Sequence, residues 1–330
     1  GKIPRIDFKG YSYSNISMDG ALKDKVFKGM VNVNDSNLVF DFDGNIDYSF
    51  PKLQKYDFTA NLKKANLRKI NWSLRDSSTQ VSAKLKVNMK GNRFEDLNGN
   101  LKLSNLIWAE NGKLFKIDSC YLNSVKKEDR EMITLKSDIL DAKIEGKYNL
   151  SEVYPTIINV LSEEIPSFKR TLALKNNFED NSFSVMFKLY DYEMIHELFT
   201  PKINFSPKTR LNGRFDDNTK SFRINFASDS VFLANKSLHN VRIFSSNKNN
   251  ILNIVGSLKF FQLIDKLGVE NIHLSSAVQN NNLIYNISYD NINTLSQGEI
   301  SGGIDLSNLD SIKINVTRSN FVHQDTVWKL

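Results

Sequence analysis

The side chains through which a chain of this length usually does chemistry are scarce here: the 330 residues include four His and one Cys. His196-Glu197 opens the pattern in which two histidines one helical turn apart hold zinc and the glutamate acts as base. Thr200 stands where the second histidine belongs, and His239, His273 and His323 have no ligand spacing. Gly298 to Gly302 (GEISG) places Ser301 one residue away from a nucleophile elbow, and in strand-like surroundings rather than at a strand-to-helix turn. No glycine-rich loop could cradle a phosphate. Acidic pairs occur as well, Asp216-Asp217 and Glu163-Glu164 among them. Asp216-Asp217 falls in a turn running to Lys220, and Glu163-Glu164 falls on the wet side of a helical stretch, so both read as structural or solvated. Cys120 reads as a small half-buried strand residue. The expectation is a protein that is not an enzyme and needs no metal or cofactor.

The elements around these residues are strands. From Asp141 to Leu150, Ala142, Ile144, Tyr148 and Leu150 alternate with Lys143, Glu145, Lys147 and Asn149, which is the period of a strand with one apolar face. Val81 to Met89 alternates in the same way. The period then changes: Ser151 stands as an N-cap, Val153, Ile157, Val160 and Leu161 follow at helical spacing, and Pro166 stops the run. Helical insertions are expected at about 151–165 and 191–199. Strands are expected at Leu67–Leu74 and Thr171–Leu174, and hairpin turns at Asp43-Gly44, Asn98-Gly99 and Asn111-Gly112.

Composition bounds the rest. The chain is 40% hydrophobic, with only 6 Pro and 15 Gly and no linker-like stretch, so residues 1–330 read as one continuous segment. A net charge of +7 raises the question of an anionic partner, but the basic residues do not run together, and they read as a solvated outer face rather than a nucleic-acid stripe. No apolar run approaches the roughly 20 residues of a membrane-spanning helix. The first residues, GKIPRID, do not read as a targeting peptide, and the strand pattern continues to both ends, as in a segment of a longer protein.

About twenty one-faced strands with little helix point to an all-β fold: an elongated antiparallel sheet bent into a U-shaped groove, with one or two short amphipathic helices. The alternation assigns the apolar lining to Leu85, Val87, Leu101, Leu103, Ala142, Ile144, Val185, Phe187, Phe222, Ile224, Ile254, Leu258, Leu283, Tyr285 and Ile287. Val153, Ile157, Val160 and Leu161 form the helical face that meets it.

Three stretches carry a family resemblance: SDILDAKIEGKYNLSEVYPTIINVLSEEIPS, FKLYDYEMIHELFTPKINFSPKTRLNGRF, and the pair LNGNLKLSNLIW and GEISGGIDLSN. The segment resembles the central part of the TamB family of the AsmA-like group, in the form found in Bacteroidota, over most of the chain from about Gly44 onward. The resemblance implies a periplasmic protein anchored by an N-terminal inner-membrane helix, whose C-terminal region meets an outer-membrane BamA/TamA-like barrel. Neither region lies in this sequence. It also implies a β-taco groove that shields phospholipid between the two membranes. The alternative in the same frame is a scaffold for assembly of outer-membrane proteins. A carbohydrate-binding or lyase solenoid would need aromatic and acidic residues converging on an outer face. A membrane barrel would need paired aromatic girdles, and an amphipathic helix inside the strand run argues against it.

Overall fold

Strand-period alternation along most of the chain becomes strand in the computed structural model, which describes residues 1–74, 78–128, 130–172, 180–199, 202–234, 236–264, 267–324 and 326–329. The fold is all-β, with 21 strands of antiparallel sheet that does not close on itself and a few short helices. It divides into two compact units, Gly1–Asp141 and Ala142–Leu330.

The first unit is an uninterrupted meander: β1 (Lys2–Phe8), β2 (Tyr11–Lys23), β3 (Val26–Asn34), β4 (Leu38–Asp47), β5 (Lys55–Asn66), β6 (Gln80–Lys90), β7 (Asn98–Glu110), β8 (Lys113–Lys127) and β9 (Arg130–Ser137). Each strand pairs with the next. Two-residue turns with both φ positive join several hairpins, as at Lys9-Gly10, Asp24-Lys25 and Asn111-Gly112. Such turns match the right-handed strand twist and favour Asn and Gly.

Two of the expected turns are strand instead. Gly44 lies inside β4 and Gly99 inside β7, because each has a neighbouring backbone pressed where a Cβ would stand: Phe58 Cα at 2.4 Å for Gly44 and Asn88 O at 2.2 Å for Gly99. Across β2, β3 and β4 the register sets Gly20, Gly29 and Gly44 in one row, with Phe58 next to them on β5. Leu67–Leu74, expected as strand, is a turn. It folds Ile70 back onto Tyr13, Ile16, Val33 and Ala65, and Ile70 is only 1% exposed.

The second unit takes in most of β10 (Leu140–Lys147), then α1 (Val153–Leu161), α2 (Ser167–Leu172), β11 (Ser182–Leu189), α3 (Glu193–Phe199) and β12 (Ile203–Phe205). It continues with β13 (Arg210–Asp216), β14 (Ser221–Leu233), β15 (Lys236–Lys248), β16 (Ile251–Ile264), β17 (Leu267–Gln279), β18 (Asn282–Asn291), β19 (Ser296–Asp305), β20 (Lys313–His323) and β21 (Thr326–Lys329). From β13 on each strand pairs with the next, while β11 pairs β13 and the short β12 pairs the far end of β14.

Ser151 is not the helix cap. Asn149 accepts from the Ser151 backbone N–H, and a 3-10 turn over Leu150–Glu152 leads into α1. Of the strand expected at Thr171–Leu174, residues 171 and 172 belong to α2, and 173 and 174 lie outside the described residues.

One cluster shows how the second unit is shaped. Val160 of α1, fully buried, shares a core with Phe183, Phe215, Phe222, Leu252 and Val278, and Leu283 packs against it. Those residues span seven neighbouring strands from β11 to β18, about 29 Å across if flat at about 4.8 Å per strand. α1 and these strands share one core, as in a sheet bent over the helix.

Candidate apolar trough

In the first unit the alternation puts two unbroken apolar rows side by side over β5 to β8. One runs Phe58, Val87, Leu101, Leu122, and the other Ala60, Leu85, Leu103, Cys120. Lys84, Lys86 and Lys102 point the other way and are exposed. Leu85, Leu101 and Leu103 stay half-buried, and Val87 is buried. A cavity of about 390 Å3 opens along this face, lined by Tyr56, Phe58, Leu85, Val87, Met89 and Leu101. Arg93 stands at the same cavity, tied to Asp96 at 3.0 Å.

In the second unit the expected lining residues divide. Ile144, Val185, Phe222, Ile224, Ile254 and Leu283 meet Val153, Ile157, Val160 and Leu161 of α1 in the core, so this stretch of the apolar face is occupied by the protein itself. Phe187, Leu258 and Ile287 lie toward the other ends of their strands, half-buried, opposite Leu211, Ile272 and Ile300 respectively. Ala142 is half-buried, and buried Tyr285 donates to Asn315 O at 3.3 Å.

The register adds a device that alternation along one strand could not reveal. Read across the strands, one row runs Val185, Gly213, Ile224, Ser245, Ile254, Ser276, Tyr285, Gly302. Large and small side chains alternate strand by strand, which lets the inner face of a curled sheet close up without overfilling it.

α1 and the residues that follow it, to the start of α2, are also held by polar groups along one edge of the sheet. Asn181, before β11, donates to Thr156 at 2.9 Å, and Asn159 donates to Asp217, after β13, at 2.7 Å. Asn247, at the end of β15, donates to Glu164 Oε1 at 2.9 Å. Asn281, in the β17–β18 turn, accepts from the Ser167 backbone N–H at 3.0 Å. Glu164 is thus not on the wet side of the helix. It is fully buried, its Oε2 has no hydrogen-bond partner, and burial pushes its carboxyl above the usual range against the opposing bond from Asn247. Asp217, of the other acidic pair, is buried and binds Lys220.

No protein-family model, curated protein or solved structure matches this chain. Among the described residues no group of three or more His, Cys, Asp or Glu is placed to hold a metal ion. The chemistry this arrangement offers is burial: apolar rows one side chain thick, backed by a charged outer face.

Proposed function

We propose that the chain is a non-enzymatic trough that shields phospholipid acyl chains, as part of a periplasmic bridge between inner and outer membranes. The observation carrying this reading is the pair of apolar rows over β5 to β8, most of their side chains half-buried, beside a 390 Å3 cavity. A sixteen-carbon acyl chain left in water costs on the order of 12 kcal/mol, at about 0.8 kcal/mol per methylene, and a continuous apolar surface removes most of that. A surface of this kind needs no specific pocket, which fits a lining built of leucine, valine and phenylalanine rather than converging polar groups. The inner-membrane anchor and the BamA/TamA-like barrel partner, both outside this chain, belong to the proposal through the TamB resemblance alone.

The test is a photo-crosslinking residue placed at Leu85 or Leu101, and separately at outward Lys86 or Lys102. Phospholipid adducts are expected at the first two positions and not at the second two. Equal labelling of both faces, or none, would remove the conduit reading.

A further inference from the structure

The outer face of the second unit carries positive charge that its own side chains leave unneutralised. Arg214 on β13 stands directly opposite Arg223 on β14, and Arg210 stands opposite Lys188 on β11. Arg242 on β15 lies one strand beyond Ala227, the other cross-strand neighbour of Arg210. All four arginines are exposed and none makes an ion pair or a side-chain hydrogen bond among the described residues. Asp229, the next carboxylate along that face of β14, pairs with none of them, and Glu145 on β10 is held by Lys143. Like charges directly opposite on antiparallel strands, with Cβ atoms about 5 Å apart, destabilise a sheet. Among the described residues no ion pair offsets it.

The same face is concave. A cavity of about 450 Å3 is lined by Arg210, Asn212, Asn225, Arg242, Ser257 and His273 together with apolar side chains, among them Phe244 and Val255. The register explains the grouping: Asn212 and Asn225 are cross-strand partners, flanked along their strands by Arg214 and Arg223 on one side and by Arg210 on the other. Two guanidinium groups and neutral amide donors around one cavity suit a tetrahedral oxyanion, since each arginine can give two parallel N–H bonds and the amides can bond the remaining oxygens.

We propose that this outer face of β13 to β15 is a phosphate-binding site, with Arg210 and Arg242 as its principal ligands and Arg214 and Arg223 enlarging the field. It lies on the face opposite the apolar lining and does not depend on the trough being a lipid path. A cavity of this size fits a phosphate with a small ester group, either a soluble phosphate ester or a lipid headgroup.

The experiment titrates inorganic phosphate into the full chain at fixed ionic strength, read by calorimetry and by the phosphate-induced rise in melting temperature. Saturable binding is expected, weakened about tenfold or more in Arg210→Gln/Arg242→Gln and unchanged in Lys102→Gln, which removes a charge from the first unit. Arg223→Gln should melt no lower than the parent in chloride, because it removes a like-charge opposition, yet show a smaller rise with phosphate. A structural role for that arginine would lower the chloride value instead. A second arm uses phosphatidylglycerol vesicles. Binding that inorganic phosphate competes away and that the double variant loses assigns the site to a lipid headgroup, and no vesicle binding assigns it to a soluble phosphate. Absence of saturation by about 10 mM phosphate, equal weakening by Lys102→Gln, or vesicle binding that the double variant retains would overturn the proposal.

Discussion

Two buried carboxylates show how far a residue's role depends on its partners. Asp35, 4% exposed, is opposed by burial, but hydrogen bonds from Tyr11, the Asn37 N–H and Ser14 outweigh it and hold its carboxyl below the usual range. Its stabilisation is therefore present at neutral pH and lost as pH falls through that depressed value. Asp35→Asn should cost about 2–3 kcal/mol at pH 7, from denaturant melts, with the gap to the parent narrowing in acid. Glu164 has the opposite sign. Its folded value is raised, so its contribution is full below the ordinary glutamate range and is lost as pH rises through the raised value. Glu164→Gln should accordingly stabilise the protein at pH 7, by about 1–3 kcal/mol, and the gain should vanish near pH 4. A destabilised glutamine variant at neutral pH would mean that Glu164 is ionised and paired in the folded state. The acidic pair Glu163-Glu164 was visible in the sequence, but its burial was not. Helical phase places Glu164 only while the helix lasts, and α1 ends at Leu161, so the turn that follows carries Glu164 under the sheet edge.

Elements divide by how local their causes are. α1 was legible from its spacing, and the residues expected to face the sheet do so. That it meets the apolar lining was expected too; which strands supply that lining was not legible, because they include strands up to 130 residues later. Val160→Ala should lower stability by about 2 kcal/mol through two lost methyl groups and the cavity they leave. Val160→Asp should prevent folding of the second unit, since it would bury a carboxylate among Phe183, Phe215, Phe222, Leu252 and Val278. The glycines offer a sharper contrast. A Cβ at Gly29 would sit 2.4 Å from Asp19 O and Gly20 Cα, whereas one at Gly112, with φ +76°, would meet nothing within 4 Å. Gly29→Ala should therefore cost about 3 kcal/mol or more, and Gly112→Ala only the about 1–2 kcal/mol of a left-handed alanine. Thermal melts of the two variants decide it. Equal costs would mean that the strands part at Gly29 without penalty.

At the scale of the molecule, nearly every strand pairs with the one before and after it, so contacts are local and each unit keeps its own core. The two clusters, one around Ile70 and one around Val160, share no residue. Such chains lose structure in parts rather than all at once. Trp72 and Trp328 are 58% and 62% exposed while Trp108, in the first unit, is half-buried, so changes in tryptophan emission report mainly on the first unit while far-ultraviolet circular dichroism reports on both. Urea transitions followed by the two probes should not coincide. Superimposable curves would show that the units unfold as one.

What the sequence determined by itself is what alternation and local chemistry determine: an all-β chain, the apolar face of α1 and the turn at Asn111-Gly112. These follow from the pleat and from backbone conformation within a few residues. Tertiary structure decided what depends on which strand lies beside which. Asp43-Gly44 and Asn98-Gly99 carry the same local turn signal as Asn111-Gly112, yet they run straight through, because a neighbouring backbone fills the space that a side chain would need. The alternation of large and small residues across β11 to β19, and the four arginines on one outer face, are likewise features of register. Arg210, Arg214, Arg223 and Arg242 are spread over three strands, and only antiparallel pairing sets Arg214 opposite Arg223 and brings Arg242 within two strands of Arg210 on the same face.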